Sequence, residues 1–277
     1  MSKVPAFSDL GRTAKDVLYG GREGVFQYNN VINVSSTTSD GVNFNVRALS
    51  KEGRLDVDLK SVYNAPRYSL VSTVTPAGKL GLAVTYKEVA PGVTLNVSGT
   101  LPDPDSAKAS VDYRVPHLSL RSVVSLGASP KVDLQASTGL DGLTVGGTAT
   151  FDSSKNAITK WAAGAAYAAP DYAVSAIVDD KYKLALLVAH APAVDTSLGA
   201  EVTKTLQGDG PATFAVGAAK RLPGGALAKA KLQSSGLLSL LYEQKLAPNT
   251  VVALSAQVDS LNLDKAPKYG VGFAVKY

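Results

Sequence analysis

Apolar residues alternate with small or polar ones, one by one, in short runs along nearly the whole of this 277-residue chain. The alternation is clearest over Lys268–Tyr277, where every second residue is apolar and those between are Lys, Gly or Ala. A period of two is the side-chain repeat of a β-strand with one apolar face. A chain of many such strands must close its sheet or leave unpaired strand edges. The pattern therefore favours a closed, all-β sheet.

About nineteen alternating runs can be counted after Val25, and turn sequences separate them roughly every 10 to 16 residues. Typical turn sequences are Asp40-Gly41, Pro91-Gly92 and Asp141-Gly142. The Ala- and Gly-rich stretch 162–169 is ambiguous by propensity, but its alternation still favours a strand. No spacing typical of a β-α-β unit occurs. The sequence thus predicts an antiparallel meander, hairpin after hairpin.

The composition favours a transmembrane barrel over a water-soluble sheet. Hydrophobic residues make up 45% of the chain and charged residues only 18%, whereas about a quarter of a soluble domain is charged. The apolar residues are dispersed, and no run is long enough for a transmembrane helix. Dispersed apolar residues with Gly, Ser, Thr and Asn between them are typical of a barrel with a wet interior. A soluble β-rich binding protein stays open as an alternative, since such strands also occur in β-sandwiches.

Several function classes find little support in the residues. Cysteine is absent, which excludes a disulfide framework and Cys-ligated metals. Only His117 and His190 could act as catalytic imidazoles, and no catalytic cluster, phosphate loop or metal-ligand spacing surrounds them. The net charge of +5 comes without a basic cluster, which indicates a mild preference for anions and no nucleic-acid site. We expect no enzyme activity, no cofactor and no metal. The first residues contain no apolar secretory signal, which argues against a bacterial outer-membrane precursor.

Residues 5–19 are predicted to form the one helix, with Ser8 as its N-cap. Gly20 and Gly21 end this helix and provide a hinge. A helix of about a dozen residues is marginal alone in water, so it has to pack on another part of the chain. Its apolar residues share one face at helical spacing. They are Leu10, Ala14, Val17 and Leu18.

If the apolar face of each strand contacts lipid, the opposite face lines a water-filled interior. That face carries more cations than acids, and such an excess attracts anions without forming a tight binding site. A barrel of about nineteen strands is wide enough for an aqueous channel. The prediction divides the chain into a helix with its glycine hinge, residues 1–23, and a barrel, residues 24–277. The predicted lumen cations are Arg47, Lys60, Lys79, Lys108, Arg114, Lys131, Lys229 and Lys231.

Both ends of the chain resemble one known family. The motif Asp9-Leu10-Gly11, followed by Arg12 and then by Lys15-Asp16-Val17, resembles the N-terminal helix of the voltage-dependent anion channels, the mitochondrial porins. The stretches 236–248 and 269–277 are similar to the last strands of that family. Because the length and the strand count also agree, the resemblance covers the chain from end to end.

The resemblance implies a transmembrane antiparallel meander β-barrel with the amphipathic helix inside the pore. Leu10, Val17 and Leu18 would then contact the wall. Arg12, Lys15 and Asp16 would lie toward the passage, where voltage acting on their charges favours a less conductive state. The last strand would carry the sorting signal of mitochondrial barrels. That signal consists of Lys268, Gly270, Phe273 and Val275.

The function implied by the resemblance is passive diffusion of small hydrophilic metabolites and ions across the mitochondrial outer membrane. The channel would be weakly anion-selective and voltage-gated, and it would pass phosphate, carboxylates and nucleotides such as ATP and ADP. The lipid bilayer is the partner that follows directly, and self-association and kinase docking rest on the resemblance alone. The protein-import pore of the same membrane is the runner-up, but it lacks the Asp-Leu-Gly helix motif.

Overall fold

The computed structural model describes residues 4–21, 24–51 and 53–277. In this part of the chain a single 3-10 turn and a short α-helix, α1, precede nineteen strands. The 3-10 turn is Phe7–Asp9, and α1 is Arg12–Tyr19. The first ten strands are β1 Asn30–Thr37, β2 Val42–Lys51, β3 Arg54–Asn64, β4 Tyr68–Val74, β5 Leu80–Ala90, β6 Val93–Leu101, β7 Asp103–Val115, β8 Leu118–Ser125, β9 Lys131–Leu140 and β10 Leu143–Asp152. The others are β11 Ala157–Ala168, β12 Tyr172–Asp179, β13 Lys183–Ala193, β14 Thr196–Thr205, β15 Thr213–Arg221, β16 Leu227–Gln233, β17 Leu237–Ala247, β18 Thr250–Asp259 and β19 Lys268–Lys276.

All nineteen strands belong to one sheet, in which consecutive strands pair and β1 also pairs with β19. The sheet therefore closes on itself, which is the topology of a β-barrel and removes the strand edges. Strand direction alternates along a meander, so the first and last of nineteen strands run the same way and pair in parallel. The predicted closed, all-β sheet of about nineteen strands is confirmed. No helix among the described residues is long and apolar enough to cross a membrane.

By packing, the chain divides into two compact units. Unit 1 contains the described residues of 1–10, 35–46 and 57–165, and unit 2 contains those of 11–34, 47–56 and 166–277. Every strand pair with both members wholly inside one unit, from β4–β5 to β9–β10 and from β12–β13 to β18–β19, is antiparallel.

In unit 2 the register places side chains of one kind opposite each other on neighbouring strands. Val188 of β13 lies opposite Val174 of β12, and Val216 of β15 lies opposite Leu232 of β16. These residues belong to the apolar face of the sheet, and Val188 and Val216 are 42% and 43% exposed in the isolated chain. The other face, called here the polar face, carries mainly small and polar side chains. Exposed apolar side chains along one face of a closed sheet match the band that lipid covers in a membrane barrel.

In unit 1 the same division holds. Ser110, Asp112 and Arg114 share the polar face of β7, whereas Val111 lies on its apolar face. Asp112 is paired in register with Arg121 of β8, and the Arg121 Nε atom lies 3.5 Å from Asp112 Oδ1. Opposite charges directly across two strands stabilise the pairing on that face.

The helix differs from the prediction at its N-terminal end. The sequence predicts one helix over residues 5–19, but the α-helix begins at Arg12, and Gly11 has a left-handed backbone with φ of 71°. A Cβ atom on Gly11 would lie 2.7 Å from Ser175 Oγ, so the chain passes too close to β12 for any larger residue. Ser8 consequently lies in the 3-10 turn rather than at the N-cap.

Candidate functional site: the N-terminal helix and the strands beneath it

The helix α1 packs on the polar face of unit 2, above β13, β14 and β15. Ala14 forms a buried cluster with Leu187 and Ala189 of β13, and Val17 forms another with Ala219 and Leu227. Of the predicted wall contacts, Val17 and Leu18 of this unit are 6% and 0% exposed, and Leu10 of unit 1 is 2% exposed. Buried apolar residues of β13, β15 and β16 thus pack against the helix and supply the partner that a short helix needs.

Glycines in the wall make room for the helix. A Cβ atom on Gly199 of β14 would lie 3.1 Å from the Ala14 carbonyl oxygen and 3.1 Å from Val17 Cβ. A Cβ atom on Gly217 of β15 would lie 3.1 Å from Leu18 Cδ2. All three distances are tighter than ordinary van der Waals contact, so the two glycines let the helix approach the sheet closely.

In unit 1, the segment before the helix lies on the polar face of β9 and β10. The 3-10 turn contacts both strands. The hydroxyl of Ser137, which is 2% exposed, donates a hydrogen bond of 2.6 Å to the Pro5 carbonyl oxygen. Val4, Ala6 and Phe7 are buried there as well. The N-terminal segment is thus attached to the sheet by apolar burial and by a hydrogen bond to a backbone carbonyl.

The charged side of the helix lies away from the buried one. Arg12 is exposed, Lys15 and Asp16 are half-buried, and Arg12 Nε lies 4.0 Å from Asp16 Oδ2 one turn later. These two residues, with Asp195 and Arg221, line a cavity of about 320 Å³ between the helix and the neighbouring strands. The cavity mixes both signs of charge and is open to water.

Tyr19 ties the end of the helix to the wall. Its hydroxyl donates a hydrogen bond of 2.5 Å to Glu201 Oε2 on β14. Burial, and then the hydrogen bond to Glu201, raises the pKa of Tyr19 well above the ordinary value of a phenol. The phenol therefore stays protonated and keeps donating to the carboxylate. Gly20, one of the two predicted hinge residues, has φ of 82°, and its N–H donates to the Asp16 carbonyl oxygen at 3.2 Å.

Two of the predicted lumen cations lie under the helix instead of standing in open solvent. Lys229 and Lys231 of β16 are 6% and 8% exposed. The Lys229 ammonium donates hydrogen bonds of 3.0 Å to the carbonyl oxygens of Asp16 and Gly24. The Lys231 ammonium lies 4.8 Å from the centre of the Tyr19 ring and 5.2 Å from that of Phe26, within cation–π range.

The other predicted cations lie elsewhere along the sheet. Arg47, Lys60 and Lys108 are exposed strand residues, whereas Arg114 is half-buried. Lys131 forms an ion pair of 3.3 Å with Asp152, and Lys79 lies in the turn before β5. The residues of the predicted sorting signal all lie in β19, with Gly270 buried and Phe273 42% exposed on the apolar face. These are Lys268, Gly270, Phe273 and Val275.

Sequence reasoning missed three contributors to this site. Ser137 and Glu201 look like ordinary polar positions of alternating strands, and only the fold brings them to the N-terminal segment. The third contributor is residues 24–29, which follow the helix and lie against β16–β19. The alternation of Phe26 and Tyr28 predicts a strand from about Val25, which is wrong for these residues because β1 begins only at Asn30. Gly24, with φ of 57°, is a position where glycine is favoured.

Comparison with known proteins agrees with this geometry. The family model described as eukaryotic porin matches residues 3–272 of the chain. The chain belongs to the eukaryotic porin family. Among curated relatives, this porin is 29% identical to mitochondrial outer membrane protein porin 5 of Oryza sativa subsp. japonica, with 98% of this chain and 97% of the relative covered. It is 27% identical to mitochondrial outer membrane protein porin 4 of Arabidopsis thaliana and 26% identical to the porin of 36 kDa of Solanum tuberosum, with both chains fully covered in each case.

Membership in the family fits the closed sheet with its apolar face. The porin is a channel that passes metabolites and ions, and its family is one of channels rather than enzymes. The resemblance noted at both ends of the sequence is therefore confirmed over nearly the whole chain.

Proposed function

We propose that this porin forms a weakly anion-selective, voltage-gated channel of the mitochondrial outer membrane. The location follows from its relatives, whose names all place them in that membrane. The cargo is small hydrophilic solutes, among them phosphate, carboxylates and nucleotides such as ATP and ADP. The predicted division into a pore helix with its hinge, residues 1–23, and a barrel, residues 24–277, stays a prediction, and residues 1–3, 22, 23 and 52 lie outside the described part of the chain. Self-association and kinase docking stay predictions that rest on family resemblance.

One observation carries the proposal: the sheet is closed, and the helix lies on its polar face, above β13–β15. A closed sheet whose apolar face contacts lipid has its polar face toward the interior. The helix then occupies the passage, and solutes pass its charged side. A cavity there is lined by Arg12, Asp16 and Arg221 together with Asp195.

Anion preference in this proposal comes from distributed cations. Arg47, Lys60 and Lys108 are exposed strand residues, and each belongs to the polar phase of its strand by alternation. Weak attraction spread over many sites raises the local concentration of anions without slowing their exit. Lys229 and Lys231 contribute less to this field, because helix α1 and the segment after it cover them.

Voltage gating in this proposal arises from the charges of the helix. Moving one elementary charge through a potential of 100 mV changes the free energy by about 2.3 kcal/mol. Arg12, Lys15 and Asp16 together carry a net charge near +1 at neutral pH, since Asp16 offsets one of the two cations. If the helix moves along the field, a voltage of 100 mV therefore changes the free-energy difference between its docked and displaced positions by up to about this amount.

The test is the current through refolded protein in a planar bilayer, with a salt gradient and a voltage ramp. We expect large current steps that close at both polarities and a reversal potential on the anion side. Cation-selective steps that a presequence peptide blocks would favour the import pore instead. Folded protein without any conductance would contradict the channel.

A further inference from the structure

Residues 24–29, called here the strap, connect the helix to β1 and are bound to the wall. Gly24 is buried, and a Cβ atom on it would lie 2.7 Å from Leu241 Cδ2 and 2.8 Å from Leu227 Cδ2. The N–H of Gln27 donates a hydrogen bond of 3.2 Å to the hydroxyl of Ser255 on β18. The strap thus crosses the polar face of unit 2 in contact with β16, β17 and β18.

Lys229 binds the strap and the helix at the same time. Its ammonium donates to Asp16 O, one of the last carbonyl oxygens of the helix, and to Gly24 O, at the start of the strap. The Asp16 carbonyl oxygen also accepts the Gly20 N–H, and it lies at the C-terminal end of the helix, where the negative end of the helix dipole makes a cation favourable. The ammonium of Lys229 needs such partners, because the residue is only 6% exposed and burying a charge without partners is costly. Lys229 therefore connects the end of the helix to the start of the strap through hydrogen bonds to both.

Gly270 of β19 provides the space in which the strap lies. A Cβ atom at this position would overlap the Gln27 carbonyl oxygen, and it would lie 2.7 Å from Asn29 N and 2.8 Å from Asn29 O. Gly272, two residues later on the same face, differs. A Cβ atom there would meet its nearest neighbours at 3.5 to 3.8 Å, which is ordinary van der Waals contact. The absence of a side chain is thus required at Gly270 and not at Gly272.

We infer that Lys229 and Gly270 are positioning residues that fix the strap on β16–β19, so that the helix is tethered at Gly24. Movement of the helix then takes place before Gly24, in the region of Gly20 and Gly21, and the strap stays bound. Gly270 consequently serves the folded protein in addition to any part it has in sorting. The consequence for gating rests on the proposed channel function, whereas the bound strap does not.

The test is hydrogen exchange of residues 24–29, measured by mass spectrometry on the refolded full-length chain without voltage. We expect the strap of the wild-type protein to exchange slowly, and Gly270→Ala to remove this protection. Gly272→Ala is the matched control and should keep it. Lys229→Met, which keeps most of the length of the side chain but removes the ammonium group, should also speed exchange. Far-UV circular dichroism and heat-modified gel mobility check that each variant has folded.

If Gly270→Ala fails to fold, Ser255→Ala tests whether the strap is bound to the strands. This change removes the acceptor of the Gln27 amide and adds no bulk, so that amide should exchange about three- to tenfold faster, as expected for one lost hydrogen bond. Three results would overturn the inference. They are wild-type exchange of the strap as fast as that of the exposed segment 207–210, unchanged protection in folded Gly270→Ala, and equal losses in Gly270→Ala and Gly272→Ala. Conductance is recorded separately, so a protein with a protected strap and no current would contradict only the channel function.

Discussion

Shortening Leu18 to alanine should release the helix from the wall. Leu18 is 0% exposed, and its Cδ2 atom lies against the space that Gly217 leaves open. Replacing a fully buried leucine by alanine costs about 3 kcal/mol, from lost transfer energy and the cavity left behind. Applied to the equilibrium between docked and undocked helix, that free energy corresponds to a change of roughly 150-fold. The helix would stay docked for most of the time but would open far more often.

A single cysteine can report this opening, because the chain has none of its own. Ser175 is 3% exposed and lies beneath Gly11, so Ser175→Cys is close to isosteric and is shielded while the helix is docked. We expect a charged thiol reagent to label this cysteine about a hundredfold faster in Leu18→Ala than in the parent, since labelling then follows the open population. Leu240→Ala, at a 44% exposed position on the apolar face, is the control and should label at the parental rate. Equal labelling in Leu18→Ala and the parent, with both proteins folded, would refute the idea that burial holds the helix.

Three further changes test the charges and the packing of the site. Asp16→Asn raises the net charge of the helix by one, so the free energy of channel closure should depend more steeply on voltage, by up to about 2.3 kcal/mol per 100 mV. Asp209→Asn, in an exposed turn, is the control. Equal voltage dependence of closure in the two variants would count against the helix as the voltage sensor. Lys60→Glu should move the reversal potential toward cation selectivity, whereas Lys155→Glu in the turn after β10 should not; a shift of the same size in both would argue against distributed lumen charge. Gly199→Ala places a methyl group against the helix backbone and should weaken helix docking by about 1–3 kcal/mol, which would appear as faster labelling of Ser175→Cys. An unchanged labelling rate would mean that the strand can shift to accommodate the methyl group.

The strands were predictable because their signal is local. Each side chain of a strand reports its own face, so the alternation at Lys268–Lys276 could be counted without knowledge of the partner strand. Strand ends were less visible. In β15 the apolar alternation covers only Phe214, Val216 and Ala218, whereas the strand extends over Thr213–Arg221, because the residues at its ends continue the backbone pairing without continuing the apolar pattern.

The arrangement around the helix could not be predicted in the same way, because it depends on residues far apart in the chain. The helix starts only after Gly11, where the chain passes close to Ser175. No local sequence pattern predicts this contact. Lys229 follows the alternation of β16 as any lumen cation would, and only the packed helix turns it into a buried donor. Its environment is fixed by tertiary contact and not by its neighbours in sequence.

The position of the helix in the passage is tested most directly by changing its solvent side in an open channel. Thr13 is exposed on α1, and Thr13→Cys would provide the one thiol of the chain. Single-channel current is recorded in a planar bilayer while a bulky, negatively charged thiol reagent is added. If the helix lies in the passage, the current should fall in a discrete step in Thr13→Cys and stay constant in the cysteine-free parent. An unchanged current, with complete modification of Thr13→Cys verified by mass, would place the helix outside the conducting path.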